Sequence, residues 1–211
     1  MTFEEIKELA DAGDSNAMHL LGAKYAEGNG VEKDEKEAFK YFKKASETGH
    51  EYATSDLGFC YMYGLGTKQD YVEAYKAFTK AAIFGIGDAV VRLGDFFLNG
   101  YFVEKDEEAA YRLYLMGRRM CSHDLKELED KKIFSDATRR IGDCFYYGKG
   151  INKDLSMAIS CYQNALRVYE ERKAMDDYYC ETGLEYSRDM LEKAEAEFKS
   201  FISNDEAVVT P

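Results

Sequence analysis

The sequence predicts an all-α fold in which antiparallel helix pairs repeat along the chain, and three observations support this. Four glycines occupy the same sequence frame at intervals of 36, 36 and 48 residues, which is typical of a solenoid. Apolar residues around them recur at helical spacing. The 211 residues include only one proline, which suits long runs of helix. The four glycines are Gly22, Gly58, Gly94 and Gly142.

The first predicted element is an N-terminal cap helix within residues 1–14. Phe3, Ile6, Leu9 and Ala10 have the spacing of one helix face. Gly13 precedes Gly49 by one period of 36 residues. We therefore interpret this segment as the second helix of an incomplete repeat that covers the first full one.

Each full repeat then reads as a first helix, a glycine turn and a second helix. In repeat 1 the first helix covers about residues 16–27 and ends at Gly28, because glycine accepts the left-handed conformation of a helix C-terminus. Asp34 begins the second helix. Its spacing to Glu37 predicts a capping box, as does that of Asp70 to Glu73 in repeat 2. Small residues such as Gly22 are expected where the two helices approach closely.

This pattern predicts one solenoid with four repeats, at residues 16–50, 51–86, 87–117 and 136–172. Repeat 3 has Tyr101 and Phe102 where a Gly-x-Gly turn is expected. An insertion at 118–135 precedes repeat 4, and Ser122 could cap a short helix at 124–132 within it. A C-terminal cap helix at 176–203 with one apolar stripe follows, and residues 204–211 are predicted to be disordered.

The repeated residues resemble those of the Sel-one-like repeat (SLR) family, a relative of the tetratricopeptide repeat (TPR). The resemblance implies a right-handed α/α superhelix that serves as a scaffold or adaptor for other proteins, without catalytic residues or a cofactor. Some family members join their helix pairs with regularly spaced cysteines, and this chain lacks that pattern. In repeat 2 the matching positions are Ala53, Leu57, Gly58, Tyr61, Gly64, Gly66, Asp70, Ala74, Phe78, Ala81 and Gly85.

Composition narrows the classes of partner and compartment. The formal net charge of −12 argues against a nucleic acid or an anionic membrane as the main partner. The N-terminus has no basic region followed by an apolar one, and no stretch approaches the ~20 apolar residues of a membrane span. Five cysteines without Cys-x-x-Cys spacing indicate reduced thiols. We therefore expect a cytoplasmic protein.

The residue types that carry chemistry are not arranged as a site. His19, His50 and His123 lie in different predicted elements and lack partners at metal-ligand spacing. The Gly-x-Gly sequences follow helices rather than strands, which removes the context of a dinucleotide-binding loop. The periodic aspartates that begin helices, such as Asp106 and Asp154, are expected to be helix caps. No catalytic, cofactor-binding or metal-binding residue is predicted.

One candidate surface remains, a groove formed by the first helices on the concave side of the solenoid. By analogy with the TPR frame, its positions lie five and two residues before the Leu of the Leu-Gly pair, and two and five residues after it. Apolar and acidic residues at these positions predict a peptide or protein partner with apolar anchors and basic flanks. The predicted contacts are Tyr52, Phe59, Met62, Asp88, Val91, Asp95, Leu98, Arg139, Asp143 and Tyr146.

Two alternatives weaken this groove hypothesis. Arg139 can pair within its own helix with Asp136 and Asp143, and the C-terminal helix can fold back into the groove. The predicted function is a non-enzymatic adaptor, as a monomer or weak homo-oligomer. The alternatives are an enzyme or small-ligand sensor with a pocket near the 118–135 insertion, or a structural protein that associates through its C-terminal stripe.

Overall fold

A computed structural model describes residues 1–121, 124–175 and 177–208 of the chain. The described residues form ten α-helices and one 3₁₀ turn, at Tyr178–Cys180, and contain no strand, so the all-α prediction is confirmed. Ser122, His123 and Asp176, which the sequence analysis singled out, lie outside this description. The helices are α1 Phe3–Asp11, α2 Ser15–Glu27, α3 Glu35–Glu47, α4 Glu51–Tyr63, α5 Tyr71–Ile83, α6 Gly87–Asn99, α7 Glu107–Arg119, α8 Leu128–Tyr147, α9 Leu155–Lys173 and α10 Glu181–Val208.

The turn inside each repeat is built by one glycine and one aspartate. Gly28 has φ +74° and ends α2 in the left-handed conformation, as predicted. Asp34 caps α3 by accepting hydrogen bonds from the amides of Lys36 and Glu37 at 2.9 and 3.1 Å. Its own amide donates to the carbonyl of Tyr25 at 2.9 Å.

That last bond explains why the predicted capping boxes are only half formed. In a capping box the glutamate accepts from the N-cap amide, but the Asp34 amide is already satisfied by Tyr25. The Glu37 carboxylate instead pairs with Lys40 at 2.9 Å. Repeat 2 behaves in the same way. A complete capping box forms at Thr2 and Glu5.

The two helices of a pair approach closely because the first helix presents a glycine to an aromatic ring of the second. A Cβ atom at Gly58 would lie 2.8 Å from the Phe78 ring, which is closer than packed carbon atoms allow. The prediction of small residues at this position is therefore confirmed. The equivalent pairs are Gly22 with Phe42, Gly94 with Tyr114 and Gly142 with Tyr162.

The chain forms two compact units, residues 1–93 and 94–211. In the first unit, α1 packs on α2, and two complete helix pairs follow, α2 with α3 and α4 with α5. Its core includes Ile6, Leu21, Phe42 and Phe78, each no more than 5% exposed. The first half of α6 completes this unit.

The second unit contains the rest of α6, followed by α7 to α10. Its turn after α6 departs from the repeat frame, because Phe102 takes the left-handed φ of +62° where the other repeats have glycine. The residues of the predicted insertion that the structure describes do not form a separate short helix. Those from Leu128 onward are the first turns of α8, which has 20 residues compared with 13 in α2, α4 and α6.

The C-terminal helix α10 packs along α9 with one face. Leu184, Ser187, Met190 and Ala194 are buried on that face at spacings of three and four residues. Gly183 lies against the Tyr169 ring of α9, where a Cβ atom would come within 2.5 Å. The first part of the apolar stripe predicted from the sequence, at Met190 and Ala194, thus faces α9, whereas Phe201 and Ile202 at its end are 62% and 43% exposed. Helix α10 reaches Val208, and residues 209–211 of the predicted tail lie outside the described chain.

Candidate interaction surface

The structure divides the ten predicted groove residues into three groups. Tyr52 is exposed, with 45% of its surface accessible, and Phe59, Leu98 and Tyr146 are half-buried. Met62 and Val91 are core residues, 5% and 0% exposed, so they are not available to a partner. The four charged residues are hydrogen-bonded within the chain, as described below; they are Asp88, Asp95, Arg139 and Asp143.

On α4 the accessible face is rotated relative to the prediction. The predicted positions Ser55 and Met62 are both 5% exposed, whereas the adjacent Asp56 and Tyr63 side chains are accessible, Tyr63 at 54%. The accessible residues follow intervals of four, three and four, which an α-helix also places on one face. We name this face the α4 ridge; it consists of Tyr52, Asp56, Phe59 and Tyr63.

The α4 ridge is aromatic along most of its length. The rings of Phe59 and Tyr63 stack with centroids 6.2 Å apart, and Phe59 also meets the buried Phe78 edge-on at 5.4 Å. The Arg92 guanidinium lies over the Phe59 ring at 4.8 Å. The core-facing side of Phe59 is therefore fixed, while Tyr52 and Tyr63 present most of the accessible aromatic surface.

Two histidines connect the α4 ridge to α2. His19 Nε2 lies 2.9 Å from a carboxylate oxygen of Asp56, and its ring centroid is 4.5 Å from that of His50. His50 is the N-cap of α4, because its Nδ1 accepts the Ala53 amide at 3.2 Å. Burial and the neighbouring His19 lower the pKa of His50. His50 thus caps the helix in its neutral form.

In the second unit, Asp95 is an internal hydrogen-bond acceptor rather than a ligand for a basic partner. Its carboxylate accepts from Arg140 Nε and Nη2 at 2.7 and 2.9 Å, and from the Tyr114 hydroxyl at 2.9 Å. Burial alone would lower the pKa of Arg140, but the charge and hydrogen bonds of Asp95 raise it well above its usual value. Arg140 and Tyr114 were not among the predicted site residues.

Asp143 has the equivalent role in repeat 4. It accepts from the hydroxyls of Tyr162 and Tyr186 at 2.8 and 3.0 Å, and from Arg139 at 3.1 Å. Burial raises its pKa, and these donors oppose that shift. The Arg139 guanidinium also lies 4.9 Å from the centre of the Tyr186 ring on α10. The predicted pairing of Arg139 with Asp143 is therefore present, and α10 covers both residues.

The other groove aspartates are also hydrogen-bonded or ion-paired internally. Asp136 accepts from the Tyr169 hydroxyl at 2.6 Å and from the buried Arg172 at 3.2 Å. Asp88 pairs with Arg92 at 3.2 Å. Asp95, Asp136 and Asp143 thus hold neighbouring helices together, whereas Asp88 pairs within α6. The expectation that these aspartates bind basic flanks of a partner loses its support.

Near the end of α8, accessible tyrosines lie close to lysines. Tyr147 is 51% exposed, and its ring meets that of Tyr146 edge-on at 4.8 Å. Lys149 and Lys153 lie 4.9 and 5.3 Å from the centres of the Tyr147 and Tyr146 rings. As on α4, the accessible residue Tyr147 follows the predicted one directly in sequence. We name Tyr146 and Tyr147 the α8 tyrosine pair.

Cys60 and Cys144 are buried at equivalent positions of α4 and α8. Burial raises the pKa of the Cys60 and Cys144 thiols to about 12, so both are unreactive at neutral pH. Within residues 1–121, 124–175 and 177–208 there is no group of three or more metal-ligating side chains. An open depression lies in the first unit. It is lined by Lys33, Asp34, Glu35, Lys36, Gly64, Gly66, Thr67 and Lys68.

The family model for the Sel1 repeat matches four segments of the chain, residues 15–50, 52–83, 87–119 and 135–167, which together make up more than half of it. The chain belongs to the Sel1 repeat family. Each matched segment contains most of one helix pair described above. Sel1-repeat proteins generally mediate protein–protein interactions, and scaffolding without enzymatic activity is typical of them.

Solved structures agree with this assignment. A Sel1 repeat protein from Oxalobacter formigenes is 28% identical with a TM-score of 0.63, over 78% of this chain and 63% of that one. A protective antigen of uropathogenic Escherichia coli that displays an SLR fold is 27% identical with a TM-score of 0.64, over 83% and 36%. This chain therefore spans less than two thirds of either protein. A search of curated proteins found no match.

Among the described helices, none combines the length and apolar character needed to cross a bilayer.

Proposed function

We propose that this Sel1-repeat chain is a non-enzymatic adaptor, which binds a segment of a partner protein on the accessible face of its first helices. The α4 ridge and the α8 tyrosine pair are the contact surfaces, each within its own compact unit. The proposal keeps Tyr52, Phe59 and Tyr146 from the sequence analysis and adds Asp56, Tyr63 and Tyr147.

The observation that carries the proposal is the accessible aromatic surface of α4. Tyr52 and Tyr63 are 45% and 54% exposed on a helix whose opposite side is fully packed. The internal packing of α4 does not require aromatic rings at these two places, since α2 carries Asn16 and Glu27 at the equivalent positions. Tyrosine is enriched at the centres of protein interfaces, because its rigid ring provides contact area at low entropic cost.

We further propose that the chain acts in the cytoplasm. All five cysteines are free thiols, as expected in a reducing compartment.

A monomeric adaptor agrees with the net charge of −12, because two copies would repel each other.

Site-specific photocrosslinking tests the adaptor proposal. A photoreactive phenylalanine analogue would replace Tyr63, and the matched control would carry it at Lys76, which is exposed on α5. We expect a covalent adduct with a defined protein in lysate of the native cell from position 63 and not from position 76. Adducts from both positions, or from neither, would refute the α4 ridge as the binding surface.

A further inference from the structure

The end of α5 carries two accessible apolar side chains that the repeat does not require. Ile83 is 79% exposed and Phe84 is 55% exposed. The corresponding positions 36 residues earlier are Glu47 and Thr48, which are also exposed. Those 36 residues later are Arg119 and Met120. Because polar residues are compatible with these positions, the packing of the repeat does not explain Ile83 and Phe84.

A third exposed side chain, that of Tyr52, lies at the same end of the α4–α5 hairpin. Gly58 of α4 packs against Phe78 of α5, and the two helices are antiparallel. Tyr52 lies six residues before Gly58, and Phe84 lies six residues after Phe78, so both occupy one end of the pair. We name this end of the first unit the loop edge, defined by Tyr52, Ile83 and Phe84. Grouped apolar residues on a surface mark interaction sites more often than scattered ones.

The connections at the loop edge carry carboxylates, while Lys44 and Lys80 lie in the last turns of the adjoining helices α3 and α5. Three connections of the first unit lead from a second helix to the next first helix, at residues 11–14, 47–51 and 83–88, and none contains Lys or Arg. Neighbouring ends lie together here, because Lys80 of α5 donates to the carbonyl of Ser46 at the end of α3. The exposed carboxylates in these connections include Asp11, Glu47 and Glu51.

We propose that the loop edge docks an amphipathic helix of a partner protein that carries Lys or Arg beside its apolar face. Ile83 and Phe84 would contact the apolar side of that helix, and the surrounding carboxylates would attract its cations. A second copy of this chain is a poorer occupant, because it would bring the same carboxylates against each other in a chain of net charge −12. The loop edge shares Tyr52 with the α4 ridge but differs from it in its other two residues, since Ile83 ends α5 and Phe84 is the C-cap of that helix.

A defined peptide tests this proposal without knowledge of the natural partner. The probe is a fluorescent amphipathic helix of leucine and lysine, about 18 residues or five turns long. The control peptide has the same composition in scrambled order. Binding is measured by fluorescence anisotropy to the full chain, and circular dichroism verifies that each variant is folded.

The double variant Ile83→Glu/Phe84→Thr introduces the residues of repeat 1 and so suits the fold. It also adds a negative charge, which makes the two explanations predict opposite results. If apolar contacts at the loop edge hold the peptide, the variant binds at least about tenfold more weakly. If charge alone attracts the peptide, the variant binds as tightly or more tightly, and the proposal is overturned.

Four further outcomes are decisive. Equal binding of the scrambled peptide would overturn the proposal, since it requires an amphipathic helix. Loss of binding in Tyr63→Ser, with binding kept in the double variant, would place the peptide on the α4 ridge instead. A dimer in sedimentation velocity that the double variant abolishes would assign the loop edge to a second copy. Binding kept in Tyr63→Ser and lost in the double variant supports the proposal, whatever the outcome of the crosslinking at Tyr63.

Discussion

Removal of the Asp95 carboxylate is the most informative perturbation of the second unit. In Asp95→Ala, the Arg140 guanidinium loses both charged hydrogen bonds to Asp95, and the Tyr114 hydroxyl loses an acceptor. The side chains of Arg140 and Asp95 are only 11% and 13% exposed, so water cannot readily replace the carboxylate. Breaking a buried ion pair in this way typically costs about 3–5 kcal/mol of unfolding free energy.

A matched series of variants separates the contributions to this loss of unfolding free energy. Tyr114→Phe removes one hydrogen bond to a charged group and should cost about 1.5–3 kcal/mol. Repeat 1 has Ala23 and Phe42 at the positions of Asp95 and Tyr114, whereas the position of Arg140 is Leu20 in repeat 1 and Asp56 in repeat 2. The triple variant Asp95→Ala/Tyr114→Phe/Arg140→Leu replaces the buried network by apolar side chains and should recover at least half of the loss.

Urea unfolding followed by circular dichroism at 222 nm measures these differences. With a slope of about 2 kcal/mol per M, a loss of about 3–5 kcal/mol lowers the midpoint by about 1.5–2.5 M. The reasoning is wrong if Asp95→Ala costs less than about 1 kcal/mol, or if the triple variant is no more stable than the single one. Unchanged helicity of each variant at zero urea is the necessary control.

Three further predictions concern single positions in the first unit. Gly58→Ala should destabilise by about 1–3 kcal/mol, although alanine favours helix, because its Cβ atom would lie 2.8 Å from the Phe78 ring; thermal unfolding that shows stabilisation would contradict this. Gly66→Ala should lower the free energy of unfolding more than Gly30→Ala does. Both glycines have positive φ, but a Cβ atom at Gly66 would overlap the Glu35 carbonyl, whereas one at Gly30 would meet nothing within 4 Å. Equal urea midpoints for the two variants would refute the clash. The pKa of His50 is lowered in the folded state, so its contribution to stability is complete above pH 6.5, the ordinary pKa of histidine, and is lost as the pH falls toward the folded pKa. His50→Asn keeps a helix-capping side chain and should remove that part of the pH dependence. Parallel stability profiles of the variant and the original chain between pH 7.5 and 5 would contradict this.

Much of the local structure could be predicted from the sequence, because it depends on short-range geometry. Gly28 and Asp34 have a fixed separation in the chain and terminate and cap helices through their own backbone and side chain. Repetition strengthened each such inference, since the same residues recur with the same period. The predicted capping boxes were incomplete because their outcome depended on a carbonyl from the preceding helix.

One feature of the site could have been predicted from the sequence but was not. Two positions of the repeat change together. One directly follows the first-helix glycine, such as Gly22 or Gly94, and the other is the aromatic residue 19 positions later. Asp95 and Asp143 accompany Tyr114 and Tyr162, whereas Ala23 accompanies Phe42. A buried tyrosine hydroxyl needs an acceptor and a phenylalanine ring does not, so the pairing indicates an internal hydrogen bond. This comparison would have removed the two aspartates from the predicted groove.

The sequence by itself determined the repeat, the glycine and aspartate ends of its helices and the family, because these follow from local spacing and from period. Only the tertiary structure decided which face of α4 is accessible, that the aspartates of the second unit accept hydrogen bonds inside it, and that Met190 and Ala194 of the α10 stripe lie against α9. Each of these depends on neighbours that are distant in the chain. A rotation of part of one turn exchanges Met62 for Tyr63 at the surface, and a helical pattern with apolar residues on both sides does not distinguish the two.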